Sequence, residues 1–347
     1  MRTLTEAEGR VIAVLLGGAG TSERERLKRA GVPRSTYHAA RKRAYEEGWL
    51  KDRYVPDPAR LGSPIATFAV VRPYVDHIDE LVAAWSGRPE NLLTWASPQI
   101  VLGIFTHATV AAAEKATARL IPEGWSRWQS VLHVDLSGPS VPVYFDYEGL
   151  WTHLAGLSGT ATYPNGLGGH ADGEAGPLSS HQRWAARELV FRPFVAQAAG
   201  RAGHLVGPLG VPFSQQKMMR AGWVVHRVLL DPARVPPYRG RAADQVTLVM
   251  GELRSGSRPE QLFVPLTREC RVFPFLFVTD GVRLLLGALG RSPGAPPPAE
   301  APEPRRPVMA TLQSYLQGIE ILAESAAAFR PVVDHRYDRL FPEQSLP

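Results

Sequence analysis

The chain has a single cysteine, Cys270, in 347 residues. That excludes an internal disulfide framework and any Cys-rich zinc site. The expected setting is reducing and cytoplasmic. Long apolar runs are also missing. Val101–Phe105 and Val272–Val278 are far shorter than a bilayer requires, so no membrane partner is expected. Val11–Gly20 is apolar and follows Arg10, but Glu6 and Glu8 stand where a secretory leader is free of acid. A buried first helix is the expectation there. Acids are outnumbered, 33 Asp and Glu against 39 Lys and Arg, for a net charge of +6. This balance suggests an anionic partner without naming one. Hydrophobic residues make up 44%, enough for a full core, and the length suggests two domains or a little more.

The excess positive charge is localised. Residues 21–54 hold ten Lys and Arg against five acids, a local excess of +5. Around them the pattern is helical. Thr5 caps a first helix with Glu6 and Glu8 in its first turn. Ser22 caps a second over Glu23–Ala30, which Gly31 ends. Pro33 opens a third over Arg34–Glu47, stopped by Gly48. Trp49–Val55 alternates as a strand or wing. Three short helices and a wing are the winged helix-turn-helix pattern. Its third helix places Arg34, Ser35, Thr36, His38 and Arg41 for base edges. Lys42 and Arg43, with Lys51 and Arg53 on the wing, are placed for phosphate. Tyr37, Ala40, Ala44 and Tyr45 face the core.

The next segment predicts βαββαβ, the split ferredoxin-like order. Its parts are a strand over Pro64–Arg72, a helix over Asp76–Ser86, a hairpin of Asn91–Ala96 and Ile100–Thr106, a helix over Thr109–Leu120 and a strand over Gln129–Asp135. Leu4-Thr5, Gly31-Val32-Pro33-Arg34-Ser35-Thr36, Glu47-Gly48-Trp49-Leu50 and Asp57-Pro58-Ala59-Arg60-Leu61-Gly62 occur in this order across residues 4–136. In order and spacing the segment resembles the Lrp/AsnC family of transcription regulators. The resemblance implies DNA binding by the first unit, and dimerisation with small-molecule sensing by the α/β module. The Ser97-Pro98-Gln99 turn departs from that family's Gly-Asp type.

The chain also repeats itself. Gly31-Val32-Pro33 recurs as Gly210-Val211-Pro212, Gly48-Trp49 as Gly222-Trp223, Asp57-Pro58-Ala59-Arg60 as Asp231-Pro232-Ala233-Arg234, and Leu4-Thr5 as Leu178-Ser179. A second βαββαβ is read from strands Val246–Gly251, Val272–Val278, Val282–Leu289 and Val332–His335, with helices Arg258–Val264 and Met309–Phe329. The polar turn Val278-Thr279-Asp280-Gly281 makes this second module the expected effector site.

The expected fold class is therefore α+β: two winged helix-turn-helix domains, each followed by a ferredoxin-like module. Boundaries fall at 1–57, 58–147, a linker at 148–178, an altered winged helix at 179–234, and 235–347 with a Pro-rich insertion at 292–307. In the altered domain Phe213 would start a shortened recognition helix carrying Ser214, Gln215, Gln216, Lys217 and Arg220. It either reads DNA or is kept for packing.

His153, His170, Asp172 and His181 fit no metal-ligand spacing, so no metal and no cofactor is expected. No nucleophile–base signature is present, so an enzyme is not expected. Siroheme and haem decarboxylases resemble the same two-part architecture. Their haem-facing histidines have no counterpart in Asn91–Ala96, and His107 stands isolated. The function expected is a sequence-specific, nucleoid-associated transcription regulator acting on double-stranded DNA, as a monomeric pseudo-dimer or a homodimer. The alternative is a plasmid or phage initiator of replication or partition, and the second alternative is a siroheme or haem decarboxylase-like enzyme.

Overall fold

The computed structural model describes residues 4–16, 22–137, 143–145, 178–191, 205–206, 212–213, 218–219, 221–230, 245–268, 270, 273–290, 307–325, 328–333 and 340–341. The expected linker and the Pro-rich insertion lie outside these, apart from Leu178 and Pro307.

Three helices open the chain: α1 (Glu6–Leu16), α2 (Glu23–Ala30) and α3 (Arg34–Glu46). Their boundaries have local causes. Thr5 Oγ1 accepts from the Glu8 amide at 3.2 Å, and the Glu8 carboxylate accepts from the Thr5 amide at 3.0 Å, a reciprocal capping box. Ser22 Oγ accepts from the Glu25 amide at 3.3 Å. Gly31 ends α2 in the left-handed region at φ 60°, which costs a residue without a Cβ little.

β1 (Leu50–Pro56) does not fold back on a neighbouring strand as a local wing does. It pairs antiparallel with β9 (Val224–Leu230), from Leu50↔Leu230 to Pro56↔Val224. The register sets Arg53 opposite Arg227.

Two antiparallel sheets follow. The first is built from β2 (Ile65–Pro73), α4 (Ile78–Ser86), β3 (Asn91–Ala96), β4 (Val101–His107), α5 (Val110–Thr117) and β5 (Ser126–Asp135). The second is built from β10 (Gln245–Leu253), α7 (Pro259–Arg268), β11 (Phe273–Thr279), β12 (Arg283–Gly290), α8 (Val308–Tyr315) and β13 (Leu316–Ser325). Each takes its fifth strand from the other unit. β14 (Arg330–Val333) joins β3, and β6 (Val143–Phe145) joins β11. The sheet orders, β14-β3-β4-β2-β5 and β6-β11-β12-β10-β13, match strand for strand. The fold class is α+β.

Strand alternation decides the layers. Ala66, Phe68 and Val70 of β2 point inward and share one core with Val246, Leu248 and Met250 of β10. Ala69 and Val71 point outward onto Leu81 and Trp85 of α4. On the second sheet Val249 and Leu286 pack outward against Leu262 and Leu266 of α7. The two sheets thus meet face to face, with helices on both outer faces.

Three expectations are corrected. Met309–Phe329 is not one helix. α8 stops at Tyr315, Leu316 takes extended geometry at φ −120° and ψ 153°, and β13 pairs with β10 from Leu253↔Leu316 to Gln245↔Ser325. Leu312, Leu316, Ile319 and Leu322 do carry helical spacing, but the open edge of β10 needs hydrogen-bond partners, and that requirement wins. The last strand, expected over Val332–His335 in the second module, is β14 of the first sheet. Phe213 does not start a helix. Pro212–Phe213 forms β8, paired with β7 (Leu205–Val206), because the apolar Leu-Val pair supplies a partner strand.

Candidate nucleic-acid interface

The surface begins with the turn between α2 and α3. After Gly31, Pro33 takes φ −55° and ψ 145° and starts α3 without a side-chain cap. The first turn of α3 therefore presents backbone N–H groups with no side-chain oxygen over them. Tyr37, Ala40 and Ala44 are buried and fix the helix to α1, Trp49 and Leu50. With that face committed, Arg34, Ser35 and His38 are exposed and Thr36 and Arg41 half-buried.

The charged groups are arranged around Glu23. Its carboxylate lies 3.6 Å from His38 Nε2 and 3.4 Å from Arg41 Nη1. Arg34 Nε donates to His38 Nε2 at 3.3 Å. Lys42 is exposed, with Glu46 at 3.7 Å. Arg43 differs from these. Its guanidinium donates to the buried Glu8 at 2.8 Å and lies 3.8 Å from Glu47, so it ties α3 to the capping box of α1. Lys51 is exposed on β1. Arg53 is placed by its backbone register opposite Arg227. Ser214, Gln215, Gln216, Lys217 and Arg220 lie outside the described residues.

One cluster was not legible as a site. Asp52 Oδ1 accepts from the Tyr45 hydroxyl and lies against His226 Nε2, each at 3.0 Å. Tyr54 packs on the His226 ring at 5.1 Å. Burial opposes ionisation of Asp52. The hydrogen bond and charge of His226, with the Tyr45 hydroxyl, outweigh it and hold the carboxyl below its ordinary range. Burial, then the Asp52 charge and hydrogen bond, push the Tyr45 phenol up. The cluster joins the last turn of α3 to β9. The 174-residue spacing of Asp52 and His226 was the available signal.

In the second module, the Asp280 carboxylate accepts from the Val282 and Arg283 amides at 3.0 and 2.7 Å. It also holds the Arg283 guanidinium at 3.0 and 2.8 Å. The turn expected to sense an effector is thus satisfied internally. Among the described residues, no three His, Cys, Asp or Glu side chains group as a metal site, and no helix is long and apolar enough to cross a membrane.

No sequence-family profile matches the chain, and no curated protein is similar to it in sequence. Several solved structures share part of its shape. AsnC of E. coli is 16% identical, over 40% of this chain and 97% of that one, with a TM-score of 0.30. An AsnC family transcriptional regulator from Agrobacterium tumefaciens is 14% identical, over 38% and 89%, at 0.28. The siroheme decarboxylase NirDL, in complex with an iron-uroporphyrin III analogue, is 10% identical over 96% of both chains, at 0.45. These are partial likenesses in shape between otherwise different sequences, and they assign this chain to no family.

Proposed function

We infer that the chain is a sequence-specific DNA-binding transcription regulator. Residues 1–57 form a winged helix-turn-helix reader on a pair of ferredoxin-like modules. The halves are a tandem duplication in which one chain imitates a dimer. The observation that carries this reading is the first turn of α3. It exposes Arg34, Ser35 and His38 while Tyr37, Ala40 and Ala44 hold the opposite face in the core. Recognition helices present base-reading side chains in this way. Arg34, Ser35, Thr36, His38 and Arg41 read bases, and Lys42, Lys51 and Arg53 contact phosphate. Arg43 contributes mainly by holding α3 in place.

The duplication is supported by three matched features. The capping box of Thr5 and Glu8 recurs at Ser179 and Gln182 before α6 (Ser180–Phe191). Gly48 and Gly222 share a left-handed φ. The two sheets share one strand order. Because Gly210 to Trp223 spans 13 residues where Gly31 to Trp49 spans 18, the second reader is altered and the DNA site is asymmetric. A small-molecule effector acts through the α/β modules.

A mobility-shift assay on genomic fragments across a salt series tests the reading. Retardation that weakens steeply with salt is expected. In a selected-site experiment, Arg34→Ala should cost about 1–3 kcal/mol and relax one base position, whereas Lys42→Ala should weaken all sequences alike. Repeated sites beside a replication origin would point to an initiator instead. No retarded fragment, together with a shifted visible band on adding an iron tetrapyrrole, would replace the regulator with a decarboxylase-like enzyme.

A further inference from the structure

The two sheets end on equivalent strands, β5 in the first and β13 in the second, and among the described residues no strand pairs with the outer side of either. Each is ten residues long. An edge of that length presents a row of unpaired N–H and C=O groups to any strand that meets it. β13 is guarded. Its register slips between Met250 and Glu252, next to the left-handed Gly318 (φ 59°), and a bulge of this kind twists an edge away. Glu320 and Glu324 stand on its inward face, opposite Met250 and Val246, and Glu324 Oε2 is buried without a hydrogen-bond partner. Inward charges also discourage edge pairing. β5 has neither device. Its register with β2 is unbroken from Arg72↔Trp128 to Ile65↔Asp135, and the slip comes only before it, at Arg127.

One bond fixes the backbone phase of β5. The Leu136 amide donates to the Pro64 carbonyl at 2.7 Å. Antiparallel bonds alternate along a strand, so Val134, Leu132 and Ser130 also bond to β2. Asp135, His133, Val131 and Gln129 therefore turn their N–H and C=O groups to the open edge. Along that edge the order is Arg127, Gln129, Val131, His133, Asp135, with opposite charges at its two ends. Antiparallel pairing with a second copy about Val131 sets Val131 opposite itself, Gln129 opposite His133 and Arg127 opposite Asp135 at both ends. Moving the centre one or two residues either way no longer opposes Arg127 to Asp135. Both charges are open to this pairing. Arg127 lies over the Tyr74 ring at 5.2 Å, Asp135 accepts from the Ser137 amide at 2.8 Å and its hydroxyl at 2.6 Å, and neither forms an ion pair among the described residues. Tyr74 and its neighbour Val75 are 42% and 68% exposed, an apolar flank beside Arg127.

We propose that β5 is the docking edge for a second copy of this chain. The two strands add antiparallel about a two-fold axis at Val131, and the five-stranded first sheets of both copies join into one continuous sheet. Backbone bonds over Gln129–His133 hold the join, and an Arg127–Asp135 ion pair closes each end. Such a contact is self-complementary and stops at two copies. Docking β5 on β13 of another copy would be head-to-tail and give rings or filaments, and the bulge and acids of β13 oppose it. The proposal concerns the first sheet alone and does not rest on the DNA reading.

Sedimentation equilibrium of the full chain from about 1 to 100 µM tests the assignment, and a monomer–dimer equilibrium within that range is expected. Arg127 and Asp135 are exposed, so reversing either charge should leave the melting temperature unchanged. Arg127→Asp or Asp135→Arg alone should weaken the dimer about tenfold, because each change sets like charges together at both ends. The double variant should return to within about threefold of the parent. Crosslinking reads the register. Under copper-phenanthroline oxidation Val131→Cys should form a disulfide dimer, since directly opposed residues stand about 5.5 Å apart between Cα atoms. Gln129→Cys, about 13 Å from its own copy, should not. The native Cys270 is buried, so the parent is the control. If Val131→Cys fails to fold, the charge variants carry the test. A chain still monomeric at about 100 µM would overturn the proposal. So would a dimer that neither charge reversal weakens, a double variant as weak as the singles, or crosslinking of Gln129→Cys in preference to Val131→Cys.

Discussion

At the scale of single residues, one acid faces the proposed reading surface. Glu23 lies within 3.6 Å of His38 and 3.4 Å of Arg41, so under the proposed function DNA competes with it for both. Exposed pairs of this kind are worth less than about 1 kcal/mol. Glu23→Gln should therefore tighten DNA binding by a modest factor, about threefold, in a low-salt fluorescence titration. Unchanged affinity would remove Glu23 from the surface. A second residue-scale constraint lies in the first sheet. A Cβ on Gly103 would stand 2.6 Å from the rings of Phe105 and Trp85. Trp85 cannot give way easily, because its Nε1 donates to the Leu120 carbonyl at 2.8 Å. Gly103→Ala should cost about 1–3 kcal/mol of stability in denaturant melts. Gly103 draws no attention in the sequence, since the ring it accommodates arrives from a helix 18 residues earlier.

At the scale of elements, the β1–β9 ribbon couples the three-helix unit to the second half through Asp52. Its pKa is depressed in the fold, so ionised Asp52 contributes stability above the ordinary carboxyl value of 3.8. That contribution is lost as pH falls through the depressed value. Asp52→Asn should lower stability at pH 7 by about 1–3 kcal/mol, since a charged hydrogen-bond acceptor is removed. The gap between parent and variant should close in strong acid; a pH-independent gap would refute the linkage. Local elements were legible where their causes are local. Thr5, Ser22 and Gly31 mark the ends of α1 and α2 through hydrogen bonds to residues three or four positions away. The failure at Met309–Phe329 has the opposite cause. The spacing there is helical, and β10, more than sixty residues upstream, turns half of it into a strand.

At the scale of the molecule, neither half is self-sufficient. β14 completes the first sheet and β6 the second, and the inner faces of both sheets form one core. A fragment of residues 1–137 would expose Phe68, Val70, Leu102 and Leu132. It should dimerise or aggregate in analytical ultracentrifugation. A stable, folded monomer of that fragment would contradict the interlocked architecture.

The helix caps, the turns, the strand alternation and the basic third helix were all open to reading from the chain. Each depends on interactions within a few residues, or on a period that one strand or one turn expresses. The partner strands were not. β1 with β9, β14 with β3, and the pairing of His226 with Asp52 bring together residues 168 or more positions apart. Such contacts depend on which sheet edges stay open once the cores have formed, and no local pattern encodes that competition.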